Sequence, residues 1–205
     1  GAGGFVTRTD FAAESFPASV AIADLNSDGN LDLVSANLFS DALSVLLGDG
    51  AGDFGAKTNF ATGNIPVAAA AADLDGDGNI DLVSVNRDSD SLSVLLGDGG
   101  GGFAAKTDFT AGDSPSSVAV ADLDGDGNLD LVSANFDSND LSVLLGDGVG
   151  GFAAKSDFAA GDSPASVAVA DLDGDGNLDL VSANVNSNNL SVLLGNGVGG
   201  FATKA

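Results

Sequence analysis

Cysteine, histidine, methionine, tryptophan and tyrosine are all absent from this 205-residue chain. Without Cys there is no disulfide and no thiol nucleophile. Without His and Tyr, most general acid–base chemistry goes too, leaving only paired Asp residues of the glycosidase kind. Without Trp and Tyr, stacking on sugar rings is weakened. The core must therefore be built from Val, Leu, Ala and Phe, and at 44 % hydrophobic residues there is enough apolar material for one. The missing Cys does not fix a redox compartment, because a bound metal can staple a small fold as a disulfide does. The missing Met, absent even at position 1, leads to the expectation that the sequence is processed or is a segment of a longer product.

Basic residues are nearly as scarce. Six Lys and Arg stand against 30 acids, for a net charge of −24. Nucleic acid is excluded as a partner, since its binding relies on Lys and Arg to release counterions. Docking on anionic lipid is disfavoured for the same reason. No run of 18 apolar residues exists, so membrane insertion through a helix is not expected, and no signal peptide is visible.

What is present is mostly Asp. Glu14 is the single Glu, and 15 of the 29 Asp residues sit in four loops spaced by 49 residues. The loops are Asp24–Asp32, Asp73–Asp81, Asp122–Asp130 and Asp171–Asp179, each of the form D-x-[DN]-x-D-G-N-x-D. Carboxylates at alternate positions of a tight loop repel one another, and a hard divalent cation with six to eight oxygen ligands is the natural neutraliser. Calcium tolerates irregular cages of this kind. Four such ions supply eight positive charges and would leave −16 of the −24.

The 49-residue period extends beyond the loops. It links Phe5, Phe54, Phe103, Phe152 and Phe201, then Phe11, Phe60, Phe109 and Phe158, then the four prolines. Arg8, Lys57, Lys106, Lys155 and Lys204 share one phase, read here as charge protecting an edge strand. Such a period means a solenoid, propeller or array. The repeats run over about 11–59, 60–108, 109–157 and 158–205, with 1–10 a strand of a preceding repeat. Each repeat reads as four short strands, in the first copy over 19–23, 31–36, 43–47 and 54–60, and no segment carries a helical period. The fold expected is all-β, with propeller-type blades of four antiparallel strands, or alternatively an open β-repeat array. The turns at 38–42, 87–91, 136–140 and 185–189 vary between copies. So do the residues just before each Pro.

These motifs resemble the FG-GAP and VCBS type of repeat found in integrin α-subunit propellers and bacterial surface proteins. The resemblance rests on the acidic loop and on the Gly-Gly-Phe element, as in Gly101-Gly102-Phe103, and covers the whole chain. It implies calcium bound on one face of a β-propeller. In the first loop the side chains of Asp24, Asn26, Asp28 and Asp32 would be ligands, with the backbone carbonyl of Asn30. The same roles fall to Asp73, Asp75, Asp77, Asn79 and Asp81, to Asp122, Asp124, Asp126, Asn128 and Asp130, and to Asp171, Asp173, Asp175, Asn177 and Asp179. The chain departs from the family in count, with four repeats where about seven blades are usual. The loop is not an EF-hand, because Ser35 stands where that motif needs a bidentate Glu.

Four equivalent acidic loops suit a scaffold, whereas an active site needs one asymmetric constellation. The expected function is that of a non-catalytic, calcium-stabilised structural or adhesive repeat. It would be extracellular or at the cell surface, within a longer surface protein or filament, with neighbouring repeats or copies of itself as partners. The alternative is a propeller recognising a cell-surface protein or a glycan, integrin-like or appended to an enzyme.

Overall fold

Short apolar-alternating runs broken by Gly, Asn and Asp give this chain strands joined by tight turns. The computed structural model describes residues 8–203 and folds them into four four-stranded antiparallel sheets, each a meander of sequential strands. The first blade comprises β1 (Pro17–Ala23), β2 (Asp32–Asn37), β3 (Ala42–Leu46) and β4 (Thr58–Ala61). The second comprises β5 (Pro66–Ala72), β6 (Asp81–Asn86), β7 (Ser91–Leu95) and β8 (Thr107–Thr110). The third comprises β9 (Pro115–Ala121), β10 (Asp130–Asn135), β11 (Asp140–Leu144) and β12 (Ser156–Ala159). The fourth comprises β13 (Pro164–Ala170), β14 (Asp179–Asn184), β15 (Asn189–Gly195) and β16 (Phe201–Thr203). A three-residue 3-10 turn at Arg87–Ser89 is the one helical element among the described residues. No helix is long and apolar enough to cross a membrane.

The expected strands fall within about two residues of these, with one correction. The fourth strand does not begin at Phe54. Phe54 forms only an isolated bridge with Gly48, and pairing resumes at Thr58. Lys57, Lys106 and Lys155 therefore lie just ahead of the fourth strands and not in them. They are ion-paired with Glu14, Asp108 and Asp157. Phe5, Lys204 and most of the strand expected over 1–10 lie outside the described residues.

Side chains alternate between two faces of each blade. In the first blade the front face carries Val34, Leu43 and Val45, which pack against Leu82, Leu95 and Phe103 on the back of the second. The pattern repeats at the next two junctions, so three apolar clusters join four blades. The innermost strands touch in chain order, β1 with β5, β5 with β9, and β9 with β13. Edge-to-face rings cross each junction, with Phe60 and Phe103 5.1 Å apart at the first. The first junction is built from smaller side chains. Ala69 and Ala71 of β5 stand where β9 has Val118 and Val120 and β13 has Val167 and Val169. At about 0.8 kcal/mol per buried CH₂, that is a loss of a few kcal/mol of packing.

Among the described residues no apolar cluster joins the fourth blade back to the first. Leu43, Leu92 and Leu141 are fully buried, but the equivalent Leu190 is 69 % exposed. On the opposite end Val20 is 62 % exposed and its equivalent Val167 only 7 %. The blades thus form an open arc with one uncovered face at each end.

A polar ladder runs through every blade, and the sequence did not suggest it. In the third, Ser133 Oγ donates to Asn135 Oδ1, Asn135 Nδ2 donates to Ser142 Oγ, and Ser142 Oγ donates to Asp157. Ser133, Asn135 and Ser142 are buried, Asp157 closes the ladder at the exposed outer edge, and no buried side-chain polar atom among the described residues lacks a partner. Such satisfied networks fix register, because a one-residue slip would strand every member.

Candidate metal centres

Each acidic loop closes the hairpin between the first two strands of its blade. Ala72 pairs with Asp81, Ala121 with Asp130, and the loop residues lie between them. Gly78, in the left-handed region at φ +90°, turns the chain back so that the early and late acids face each other.

The loop organises its own carboxylates with its backbone. Asp73 accepts hydrogen bonds from the N–H groups of Gly76 and Gly78, at 2.8 and 3.0 Å. Asp75 accepts from Asp77 N–H at 3.1 Å. Asp81 is fully buried and accepts from Leu74 N–H at 2.8 Å and Gly97 N–H at 2.7 Å. The same pair of bonds recurs at Asp32, Asp130 and Asp179. This last Asp is thus a hub that ties the loop to the end of the third strand. Gly97 is required for that approach, since a β-carbon there would lie 2.2 Å from the carbonyl oxygen of Ile80.

Three carboxylates converge in three of the loops: Asp73, Asp75 and Asp81; Asp122, Asp124 and Asp130; Asp171, Asp173 and Asp179. Within each trio one carboxylate oxygen per residue lies within 4.8 Å of the others. At that separation like charges repel by about 1 kcal/mol in bulk water and about 3.5 kcal/mol at an effective dielectric of 20. The chain's own cations do not relieve this. The ion pairs among the described residues are Arg8–Asp10, Lys57–Glu14, Lys106–Asp108 and Lys155–Asp157, all away from the loops. The donors are hard oxygens, so these three clusters can hold a metal ion.

The remaining expected ligands are placed differently. Asp77, Asp126 and Asp175 lie outside the trios; each accepts from the backbone and side-chain amides of the Asn two residues on. Asn79 rests its side chain on the Gly-Asp-Gly turn, 2.3 Å from where a β-carbon of Gly99 would be. The first loop differs again. Asn26 replaces the second carboxylate, and its amide donates to Asp28 at 3.1 Å. Ser27, at φ 57°, holds a conformation that glycine supplies in the other three loops. In Asp28 the backbone N–H of Asn30, then the Asn26 amide, hold the carboxyl below its ordinary value.

Sequence reading missed a second Asp series. Asp98 accepts from the N–H groups of Gly100 and Gly102 at 2.8 and 2.9 Å, which closes the turn after the third strand. These bonds hold its carboxyl below the usual range, and the same holds for Asp49 through Ala51 and Asp53. The Leu-Gly-Asp-Gly recurrence was the signal available for it.

Burial pushes the carboxyls of Asp81 and Asp130 up, against the pull of two backbone N–H groups each, and neighbouring loop carboxylates add to the rise. A carboxyl raised on folding contributes stability below its unfolded pKa of about 3.9 that is lost as pH rises through the folded value. Metal binding reverses the sign, because it requires the ionised form. We therefore expect the metal-free chain to melt higher at pH 5 than at pH 7, and the calcium-saturated chain to do the opposite. Thermal scans with chelator and with calcium at both pH values check this; parallel shifts would refute it.

Stacked four-stranded antiparallel meanders, each with an acidic hairpin loop at the same corner, define a repeat of the β-propeller type. The chain belongs to the FG-GAP-like repeat family, whose model matches residues 24–84, 73–133 and 122–182. No curated protein matches it in sequence. Among solved structures it is similar to BBS1N, crystallised in complex with ARL6DN and soaked with lead (TM-score 0.63, 16 % identity, 94 % of this chain, 56 % of that one). It is also similar to a functionally unknown protein from Desulfotomaculum acetoxidans DSM 771 (TM-score 0.70, 15 % identity, 94 % of this chain, 56 % of that one). The chain thus spans a little over half the length of these structural relatives, and the likeness is one of fold.

Proposed function

We propose that this chain is a non-catalytic structural and adhesive repeat module, stabilised by calcium and working outside the cell or at its surface. The recurrence of three converging carboxylates at one corner of successive blades, with no ion pair reaching them among the described residues, carries the reading. In each loop the residues at positions 1, 3, 5 and 9 would supply side-chain oxygens, and the Asn at position 7 its backbone carbonyl. When bound, the ion supplies charge neutralisation and a cross-link within the hairpin. The chain's own residues do the rest: backbone N–H groups orient the acids, and the buried hub Asp passes the loop's order to the third strand. The absence of His, Cys and Tyr, and the near-equivalence of the four loops, support a scaffold over a catalyst.

Calcium titration by calorimetry tests the reading. Extracellular oxygen-ligand modules bind at roughly 10⁻⁴ to 10⁻³ M. About four sites are expected, with the first loop filling last because Asn26 and Ser27 weaken it. A titration without calcium-specific heat would end the proposal.

One observation favours a recognition role as second reading. Phe16 and Phe39 form an exposed edge-to-face pair, 4.7 Å apart, on variable turns of the first blade alone. A saturable partner on a glycan array or in a pull-down, lost in Phe39→Ala, would favour it over the scaffold.

A further inference from the structure

We propose that the two uncovered faces of the arc are complementary to each other, and that the front of the fourth blade binds the back of the first blade of a second copy of this chain. This deepens the partner side of the scaffold reading above, while its geometry is independent of the metal.

The argument is continuity with the junction between the third and fourth blades. On the third blade that junction uses Leu123, Val132, Leu141 and Val143. The fourth blade carries the same residues at the equivalent positions, Leu172, Val181, Leu190 and Val192, with Leu172 and Leu190 exposed. On the other side the junction uses Val167, Val169, Leu178, Leu180 and Leu193. The back of the first blade has Val20, Ile22, Leu31, Leu33 and Leu46, a single conservative change, and an open groove of about 330 Å³ borders Val20 and Leu33. The seats match in detail. Leu47, Leu96 and Leu145 each rest on a glycine of the next blade, at Gly101, Gly150 and Gly199, whereas the equivalent Gly52 has open space around it. Ile65, Ser114 and Ser163 each donate a backbone N–H to Asp41, Asp90 or Asn139 of the preceding blade. Continued by one period, this bond would join Phe16 N–H of one copy to Asn188 of the other.

The outer strand gives the sharpest correspondence. In the first three blades the fourth strand pairs with the first half of the third, as Leu43 with Phe60 and Ser44 with Asn59. In the fourth blade β16 pairs only with Leu193–Gly195, so among the described residues Asn189–Val192 has no outer partner. Residues 9–12 have the sequence phase of that missing strand and lie outside any strand in this structure. Shifted by one period, Phe11 falls opposite Leu190 of the other copy, and Asp10 opposite Ser191. The Ser93–Asp108 and Ser142–Asp157 hydrogen bonds show what that last pair would make. Arg8 already holds Asp10 as Lys106 holds Asp108. Two copies of this 205-residue segment joined this way would stack eight blades, within the range that closes a propeller ring; without closure the head-to-tail contact extends into a filament.

Sedimentation velocity on the 205-residue chain in calcium and physiological salt should show assembly that grows with concentration, despite the repulsion of two acidic molecules. Leu190→Asp and Val20→Asp each alter an exposed side chain and should each leave a monomer with an unchanged calcium-dependent melting curve, which separates failure of docking from failure of the metal reading. Mixed in equal amounts, the two variants should recover a dimer and nothing larger, because each retains one intact end. With no native cysteine in the way, Asp10→Cys and Ser191→Cys made separately should cross-link to each other on mixing. A wild-type chain that stays monomeric at all concentrations, by closing on itself or by leaving its ends open, overturns the proposal. So does cross-linking of either cysteine variant to itself in preference to the other.

Discussion

Stripping calcium from this chain is expected to lower its melting temperature by ten degrees or more. Three of the loops then keep three carboxylates in close quarters, at about 1 to 3.5 kcal/mol per neighbouring pair, and no ion pair among the described residues reaches them. The loops cannot relax by simple opening, because Asp32, Asp81, Asp130 and Asp179 are anchored at both carboxylate oxygens. The repulsion therefore falls on the hairpin that joins the two inner strands of each blade. Binding even a few kcal/mol in favour of the native state shifts the midpoint strongly in a protein of this size. Differential scanning calorimetry in calcium and in excess chelator is the measurement. Superimposable curves would mean that the loops hold no stabilising ion.

The second large effect is expected at the hub. Asp130→Ala removes the acceptor of two backbone N–H groups, that of Leu123, which is buried, and that of Gly146, which is half-buried. An unsatisfied buried donor costs about 1–3 kcal/mol, so the variant should lose roughly that much through Leu123, with a smaller addition from half-buried Gly146. That loss should persist in chelator, because it is a hydrogen-bond loss and not only a ligand loss. Asp124→Ala should destabilise the chain in calcium and be close to neutral in chelator, where one less carboxylate relieves the trio. Asp126→Ala should cost more than Asp137→Ala in calcium, the first being in the loop and the second in a variable turn where it accepts only an exposed hydroxyl, from Ser114. Urea unfolding of the four variants with and without calcium checks the order. Equal losses at Asp130 and Asp124 in chelator would remove the hub from the account.

The parts of this molecule that depend on local spacing were legible in the sequence. The acidic loops and the first three strands of each blade rest on patterns within a dozen residues, and the propeller-type class on their recurrence every 49. What escaped depends on pairs brought together by register. Asp130 looks like one more ligand until β10 and β11 place Gly146 N–H beside it, 16 residues away. Ser142 and Asn135 look like ordinary polar strand residues until the pairing stacks them into a buried ladder. The two Phe series were visible, but not that Phe109 meets Phe152 of the following blade. The false start of the fourth strand at Phe54 has the same origin. Its apolar ring promised a strand, yet only a single bridge to Gly48 forms before the chain turns away.

The alanine run in β5 gives the array a mechanical character. Repeats that touch only their neighbours form links in series, so load or heat applied to the whole reaches every junction equally. A series yields where a link is thinnest, and here that is the seam where Ala69 and Ala71 meet the first blade. The acidic loops lie within blades, while the seams between them are held by apolar contact and a few hydrogen bonds, such as Ile65 N–H to Asp41. The molecule therefore has a built-in fault line, and under load it is expected to part between its first and second blades before the valine-filled seams beyond.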